Sequence, residues 1–89
     1  MTDPHRALAR ALTRLQPGWT LLSSEATPWA SITFSGTRHV LHYRGAAPDI
    51  VLGEQEFALP GHLVADITAA VAGDRIVIEA LTIETGETV

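Results

Sequence analysis

Cysteine and lysine are both absent from this chain of 89 residues. Without cysteine, the chain has no disulfide, thiolate nucleophile, zinc finger or iron–sulfur cluster of its own. Without lysine, it has neither a Schiff-base residue nor the phosphate-binding lysine of a P-loop. All six basic residues are therefore arginines.

Long apolar runs are also absent. No stretch approaches the roughly 18 apolar residues that a membrane span needs. The N-terminus lacks the basic region and apolar core of a signal peptide, so we expect a cytoplasmic protein with no membrane partner. With 46% hydrophobic and 18% charged residues, the composition is that of a folded domain. We expect one small domain over residues 1–84 and a polar, frayed tail over 85–89.

The net charge of −4 is unevenly distributed. Residues 1–44 carry five arginines against two acids, whereas residues 45–89 carry one arginine against eight acids. Overall acidity disfavours broad nucleic-acid binding, which requires attraction to phosphates. Halves of opposite sign are compatible with self-association, and equally with a charge layout that only keeps the domain in solution.

Two segments have helical periodicity. Asp3 and Pro4 are typical of the N-cap and the first residue of a helix. A leucine-rich stripe follows, and "QPG" at 16–18 is predicted to end this first helix. Residues 62–72 place apolar side chains at i, i+1, i+4, i+7 and i+8, which predicts a second amphipathic helix with Gly73 as its C′ residue.

The remaining apolar segments indicate strands. We predict strands over 19–23, 29–34, 37–44 and 75–83, and one or two short strands within 50–59. Residues 25–28 are interpreted as a turn, and Ser35–Gly36 as a two-residue hairpin loop. The resulting order, α-β-β-β-(β)-α-β, predicts an α+β two-layer sandwich. Its sheet would be mostly antiparallel, with four or five strands and both helices on one face.

The final strand is apolar on both faces. Such a strand is central and covered on both sides, or it forms part of a subunit interface.

The stretch "GTRHVLHYRG" at 36–45 concentrates two histidines, two arginines and the only tyrosine. In a strand, His39 and His42 point to opposite faces because their spacing is odd, so the pair does not predict a metal site. We expect an inward face that includes a neutral, hydrogen-bonded His39 and a Tyr43 with a solvated hydroxyl. The other expected members of this face are Ala30, Ile32, Phe34 and Leu41.

The opposite face is predicted to carry Trp29, Arg38, His42 and Arg44. Guanidinium, imidazole and indole groups together can hold an anion or stack on a base or a peptide. A solvated sheet face and a surface covered by a second subunit are the alternatives.

A second basic feature is a ridge of Arg6, Arg10 and Arg14 along the first predicted helix. Because no helix-turn-helix follows, the ridge does not predict sequence-specific DNA binding. It is a solvated helix face or a contact for an acidic partner or RNA phosphate.

His62 and Asp66 would touch as an i, i+4 pair if residues 62–72 were helical. No serine lies in a nucleophile-elbow motif, and no glycine motif for phosphate binding is present, so no catalytic residue and no cofactor is predicted.

We therefore expect a small interaction or regulatory module that acts through protein–protein contacts, with a second copy of the chain as one partner. The alternative is an anion- or RNA-binding module that uses Trp29 and its neighbours. A third hypothesis is an enzyme in which His39 or His62 is the base of a site completed across a dimer.

Overall fold

The computed structural model describes residues 3–85, which form one α-helix and a single antiparallel sheet of four strands. The helix and strands are α1 (Pro4–Leu15), β1 (Thr20–Ala30), β2 (Ser35–Arg44), β3 (His62–Ala72) and β4 (Arg75–Glu84), with a short 3₁₀ helix at Leu52–Glu54. The α+β class and the antiparallel sheet are confirmed, whereas the predicted second helix is wrong. Within the described residues, no helix is long and apolar enough to cross a membrane.

Helix α1 begins where the sequence predicts. The Asp3 side chain accepts a hydrogen bond from the backbone N–H of His5, and Pro4 occupies the first turn. Leu8 and Leu12 are fully buried, because α1 lies across one face of the sheet. The helix therefore supplies one layer of the core and the sheet supplies the other.

The strand order is β1-β2-β4-β3, so β2 and β4 are central. We call the sheet side packed by α1 the covered face, and the other side the open face. Buried residues of β2 and β4 alternate with less buried ones, which assigns the covered face to one parity along each strand. The sheet supplies the following members of the core: Leu41, Tyr43, Ile67, Ile76, Ile78 and Ala80.

The first hairpin differs from the predicted one. Strand β1 runs without a break through residues 25–28, and the loop is formed by residues 31–34. Pro28 is tolerated because β1 is an edge strand. The Ser31 hydroxyl oxygen accepts hydrogen bonds from the backbone N–H groups of Thr33 and Phe34, which stabilises the loop. Ile32 and Phe34, predicted to face inward, are instead exposed in or beside this turn.

Gly36 is a strand residue and not the predicted turn residue. A Cβ atom at this position would overlap the backbone carbonyl of Thr82 on the neighbouring strand. Glycine is therefore needed here for a close approach between β2 and β4, and not for a positive φ.

The predicted helix over 62–72 is strand β3. The pairing with β4 passes from Val64 to Asp66 across an irregularity, so Ala65 is an additional residue in a bulge. Because the bulge interrupts the two-residue alternation, Val64, Ile67 and Val71 share the covered face at helical spacing. Gly73, expected to end a helix, has a φ of +63° in the two-residue turn to β4.

The chain between β2 and β3 contains the 3₁₀ helix and one isolated bridge instead of the predicted short strands. Leu52 from this segment joins the core on the covered face, and Leu59 is also buried. At the other end, the Thr85 N–H donates to the Gly61 carbonyl at 3.0 Å. The rest of the predicted tail, 86–89, lies outside the described residues.

Candidate functional site

The open face carries the four residues that the sequence predicted for one surface. Trp29 on β1 pairs with Gly36 on β2, and Arg38, His42 and Arg44 follow along β2 at two-residue or four-residue intervals on the same face. The four side chains thus share one face, but Trp29 and Arg44 lie at opposite ends of it, so they do not form one compact site.

An apolar strip runs beside these residues. Val77, Leu81 and Ile83 project from β4 toward the same side, opposite His42, Arg38 and Gly36 of β2. Together with Val40 and Trp29 they are only partly buried, since α1 packs on the other face. The sequence predicted that β4, which is apolar on both faces, is either central and covered on both sides or part of a subunit interface. Strand β4 is central, but only one of its faces is covered in the described chain.

Charges of both signs interrupt this strip. Across the sheet, Arg38 lies in one row with Leu81 and Asp66, as defined by the pairing register. The next row contains Glu25, Val40 and Glu79, and the row at the far end contains Arg44 and Arg75. The open face thus carries three arginines and three acids, although the whole chain has a net charge of −4.

One of these arginines approaches an acid in its own chain. Arg44 Nε lies 4.0 Å from the Asp74 carboxylate, and both side chains are more than half exposed. Such a pair contributes little to stability and leaves the guanidinium available.

The arginine ridge is a separate surface. Arg6, Arg10 and Arg14 are exposed on α1, which packs on the covered face. The structure therefore does not join the ridge to Trp29 and its neighbours.

The structure also forms a chain of hydrogen bonds that the sequence did not predict. His5 Nε2 lies 2.9 Å from Ser24 Oγ, and His5 Nδ1 lies 2.9 Å from His39 Nδ1. His39 Nε2 lies 2.9 Å from Thr82 Oγ1. The four residues come from α1, β1, β2 and β4, so only the docking of α1 on the sheet brings them together.

The two imidazole rings are joined edge to edge. Their planes differ by 2° and their centroids are 5.2 Å apart. A 2.9 Å contact between facing nitrogens of coplanar rings accounts for this separation. The contact is therefore an in-plane hydrogen bond rather than a face-to-face stack.

Thr82, at the buried end of this series of hydrogen bonds, determines which ring nitrogen of each histidine carries the proton. Thr82 Oγ1 donates to the Thr37 carbonyl at 3.3 Å, which leaves its oxygen to accept from His39 Nε2–H. His39 Nδ1 is then an acceptor, so His5 Nδ1–H donates to it. His5 Nε2 is consequently left with a lone pair that faces the Ser24 hydroxyl.

His39 is fully buried, which confirms the sequence interpretation of a neutral, hydrogen-bonded histidine. Loss of solvation on burial, followed by repulsion from His5, lowers the pKa of His39 from 6.5 to about 4. Attraction to Asp3 offsets part of this effect, and His62 adds slightly to it. The ring is therefore neutral near pH 7.

Tyr43 differs from the prediction of a solvated hydroxyl. Its side chain is fully buried, and its hydroxyl has no hydrogen-bond partner among the described residues. Burial raises the pKa of Tyr43 to about 12. The ring packs against Trp19, whose Nε1 donates to the Ala46 carbonyl at 2.8 Å.

The predicted contact between His62 and Asp66 does not form. Both residues lie in β3, where His62 pairs with Glu84 and Asp66 pairs with Leu81, so they belong to opposite faces. They contribute to the lining of a groove of about 450 Å³ around the bulge of β3. Within residues 3–85, no cluster of three or more histidine and acidic side chains is arranged to hold a metal ion.

The sequence could not have revealed the pairing of His5 with His39, because 34 residues separate them and neither belongs to a motif. Comparison with known proteins adds no assignment to either surface. No family model, curated protein or solved structure matches this chain.

Proposed function

We propose that this protein is a small interaction module that binds a second copy of itself through the open face of its sheet. The observation that carries the proposal is the strip of partly buried apolar side chains, Val77, Leu81 and Ile83, on the uncovered side of the central strand β4. Association of two such faces would remove this strip from water, as occurs between the two sheets of a β-sandwich.

The dimensions of the face support a two-fold interface. Four strands about 4.8 Å apart, each about ten residues long at about 3.3 Å per residue, cover roughly 20 by 33 Å. Two copies would bury about 1,300 Å² in total, which lies within the range of roughly 1,200–2,000 Å² for specific interfaces.

The charge pattern favours a like partner. Three arginines and three acids make the face neutral, and both signs are present for reciprocal pairing. In one face-to-face arrangement, with a two-fold axis between the rows of Glu79 and Leu81 at the middle of β4, Arg38 of each copy lies beside Glu79 of the other. A two-fold axis forms such a contact twice, which suits an isologous interface.

The same pattern gives less support to binding of RNA or a small anion by Trp29, Arg38, His42 and Arg44. Glu25 and Glu79 lie in the row between Arg38 and Arg44, so the potential at a bound phosphate is reduced. This alternative stays a prediction, which fluorescence titration with a single-stranded oligonucleotide would test.

Substitution of Val77 by arginine tests the proposed dimer. Wild-type protein is expected to have about twice the 9.5 kDa chain mass at micromolar concentration by light scattering. Val77→Arg places a charge within the apolar strip of the proposed interface, and we expect it to reduce the mass to that of one chain.

The matched control is Val51→Arg, which makes the same change at an exposed position in the segment between β2 and β3. It should leave the dimer intact. A wild-type monomer at all concentrations up to the millimolar range would contradict the proposal, as would a Val77→Arg variant that remains dimeric.

A further inference from the structure

We propose that Ser24, His5 and His39 form a serine–histidine–histidine site for acyl transfer from small carboxylic esters. Ser24 would be the nucleophile, His5 its base, and His39 a positioning residue. The site lies on the covered-face side of β1, so it is separate from the proposed dimer surface, and its test does not depend on dimerisation.

The nucleophile is accessible and its base is in contact with it. Ser24 is exposed in the edge strand β1, with its Oγ 2.9 Å from His5 Nε2. A serine hydroxyl is a weak nucleophile until an adjacent base accepts its proton, and 2.9 Å is within the range that this transfer requires.

The base is held in the required tautomer. The bonds from His39 to Thr82 and from Thr82 to the Thr37 carbonyl make His39 Nδ1 an acceptor for His5 Nδ1–H. The lone pair of His5 Nε2 is thereby directed at Ser24. This is the geometry of a nucleophile, a base and a third group that orients the base.

His39 cannot contact a substrate, because it has no exposed surface. It stays neutral since burial lowers its pKa to about 4, so it accepts the hydrogen bond from His5 without repelling it as a cation. Asp3 also fixes His5, because its side chain accepts a 2.9 Å hydrogen bond from the His5 backbone N–H.

The proposed reaction consumes only the ester and water. Ser24 Oγ bonds to the carbonyl carbon while its proton passes to His5 Nε2. His5 then gives this proton to the departing alkoxide as the ester C–O bond breaks, which leaves acylated Ser24 and a free alcohol. Water attacks the acyl carbon with His5 again as base, and release of the carboxylic acid restores the Ser24 hydroxyl.

Two features near Ser24 would bind a small ester. The exposed side chain of Leu21 belongs to the same face of β1 as Ser24 and offers an apolar contact for an acyl group. The outer side of β1 pairs with no strand in the described chain, and the backbone N–H groups of such an edge are the donors that an oxyanion on Ser24 would use.

Acetylation by p-nitrophenyl acetate tests the site. We expect an initial burst of about one equivalent of nitrophenolate per chain, followed by slower turnover. After an acid quench, peptide mass spectrometry should locate an acetyl group on Ser24. Ser24→Ala should abolish acetylation at this position, and His5→Gln should lower its rate by about 100-fold or more, as loss of a general base does.

Ser23→Ala is the matched control, because Ser23 is an exposed neighbour that pairs with His42 on the open face. It should react like the wild type. His39→Leu should abolish labelling, whereas His39→Gln should restore much of it, because the Gln amide can accept from His5 and donate to Thr82. Absence of acetyl on Ser24, or equal labelling of Ser23 and Ser24, would overturn the proposal, as would equal rates in His39→Leu and His39→Gln variants that both fold.

Discussion

His39 links the folded structure to pH, because it is a buried imidazole with both ring nitrogens in hydrogen bonds. Its pKa is about 4 when folded and about 6.5 when unfolded. Between these values the unfolded chain binds more protons, so the free energy of unfolding falls as pH falls. The contribution is complete above about pH 6.5 and is lost progressively toward pH 4.

Urea unfolding at pH 7 and pH 5 measures this effect. We expect a loss of about 2 kcal/mol from His39 over this interval. Asp3, His5 and His62 also influence this ring, so the comparison needs a variant without the imidazole. His39→Gln should show a shallower pH dependence, and equal slopes in the two proteins would contradict the assignment.

A second prediction concerns the effect of the Tyr43 hydroxyl on stability. Its hydroxyl is buried without a partner, which costs about 1–3 kcal/mol for a typical polar group. Tyr43→Phe removes the hydroxyl and keeps the ring against Trp19. We expect unchanged or increased stability by up to about 1 kcal/mol in urea unfolding. A loss of more than about 1 kcal/mol would instead indicate a hydrogen bond to an internal water.

At the scale of elements, the helix α1 and the inward side of β2 could be predicted, because capping and alternation are local signals. Asp3, Pro4 and the leucine stripe specify the helix, and the odd spacing of His39 and His42 separates them between faces. These signals do not depend on residues far away in the chain.

Strand β3 could not be recognised in the same way. Its bulge at Ala65 sets Val64, Ile67 and Val71 at helical spacing on one face, so the period alone favoured the wrong element. The β-branched side chains were the contrary signal. The first hairpin was predicted at the wrong residues for a related reason. Gly36 indicated a turn, whereas glycine is required there by the contact with Thr82, which is distant in sequence.

Gly36→Ala tests whether the close approach of β2 and β4 requires glycine at this position. A methyl group at this position meets the backbone of β4, which cannot move aside as a flexible side chain can. We expect a loss of about 1–3 kcal/mol or more in unfolding free energy. Gly53→Ala is the control, because no atom lies within 4 Å of its added Cβ. Equal stabilities of the two variants would refute the explanation.

For the molecule as a whole, alternation in the sequence predicted that Trp29, Arg38, His42 and Arg44 share one face. Alternation could not predict that β4 lies beside β2, which brings Val77 and Leu81 into one surface with His42 and Arg38. The Ser24–His5–His39 contact was equally inaccessible, because it requires the packing of α1 across three strands.

A dimer through the open face also differs from one through the free edges of β1 and β3. An edge dimer would extend the sheet and leave Val77, Leu81 and Ile83 in water. A face dimer buries these side chains and leaves both edges free. The identity of the residues in contact therefore distinguishes the two arrangements, which have the same mass.

Isotope-filtered NOE spectroscopy on a mixture of labelled and unlabelled chains tests the face-to-face dimer most directly. We predict contacts between chains that involve the methyl groups of Val77 and Leu81. Absence of contacts between chains at millimolar concentration, or contacts confined to β1 and β3 edges or to α1, would contradict it.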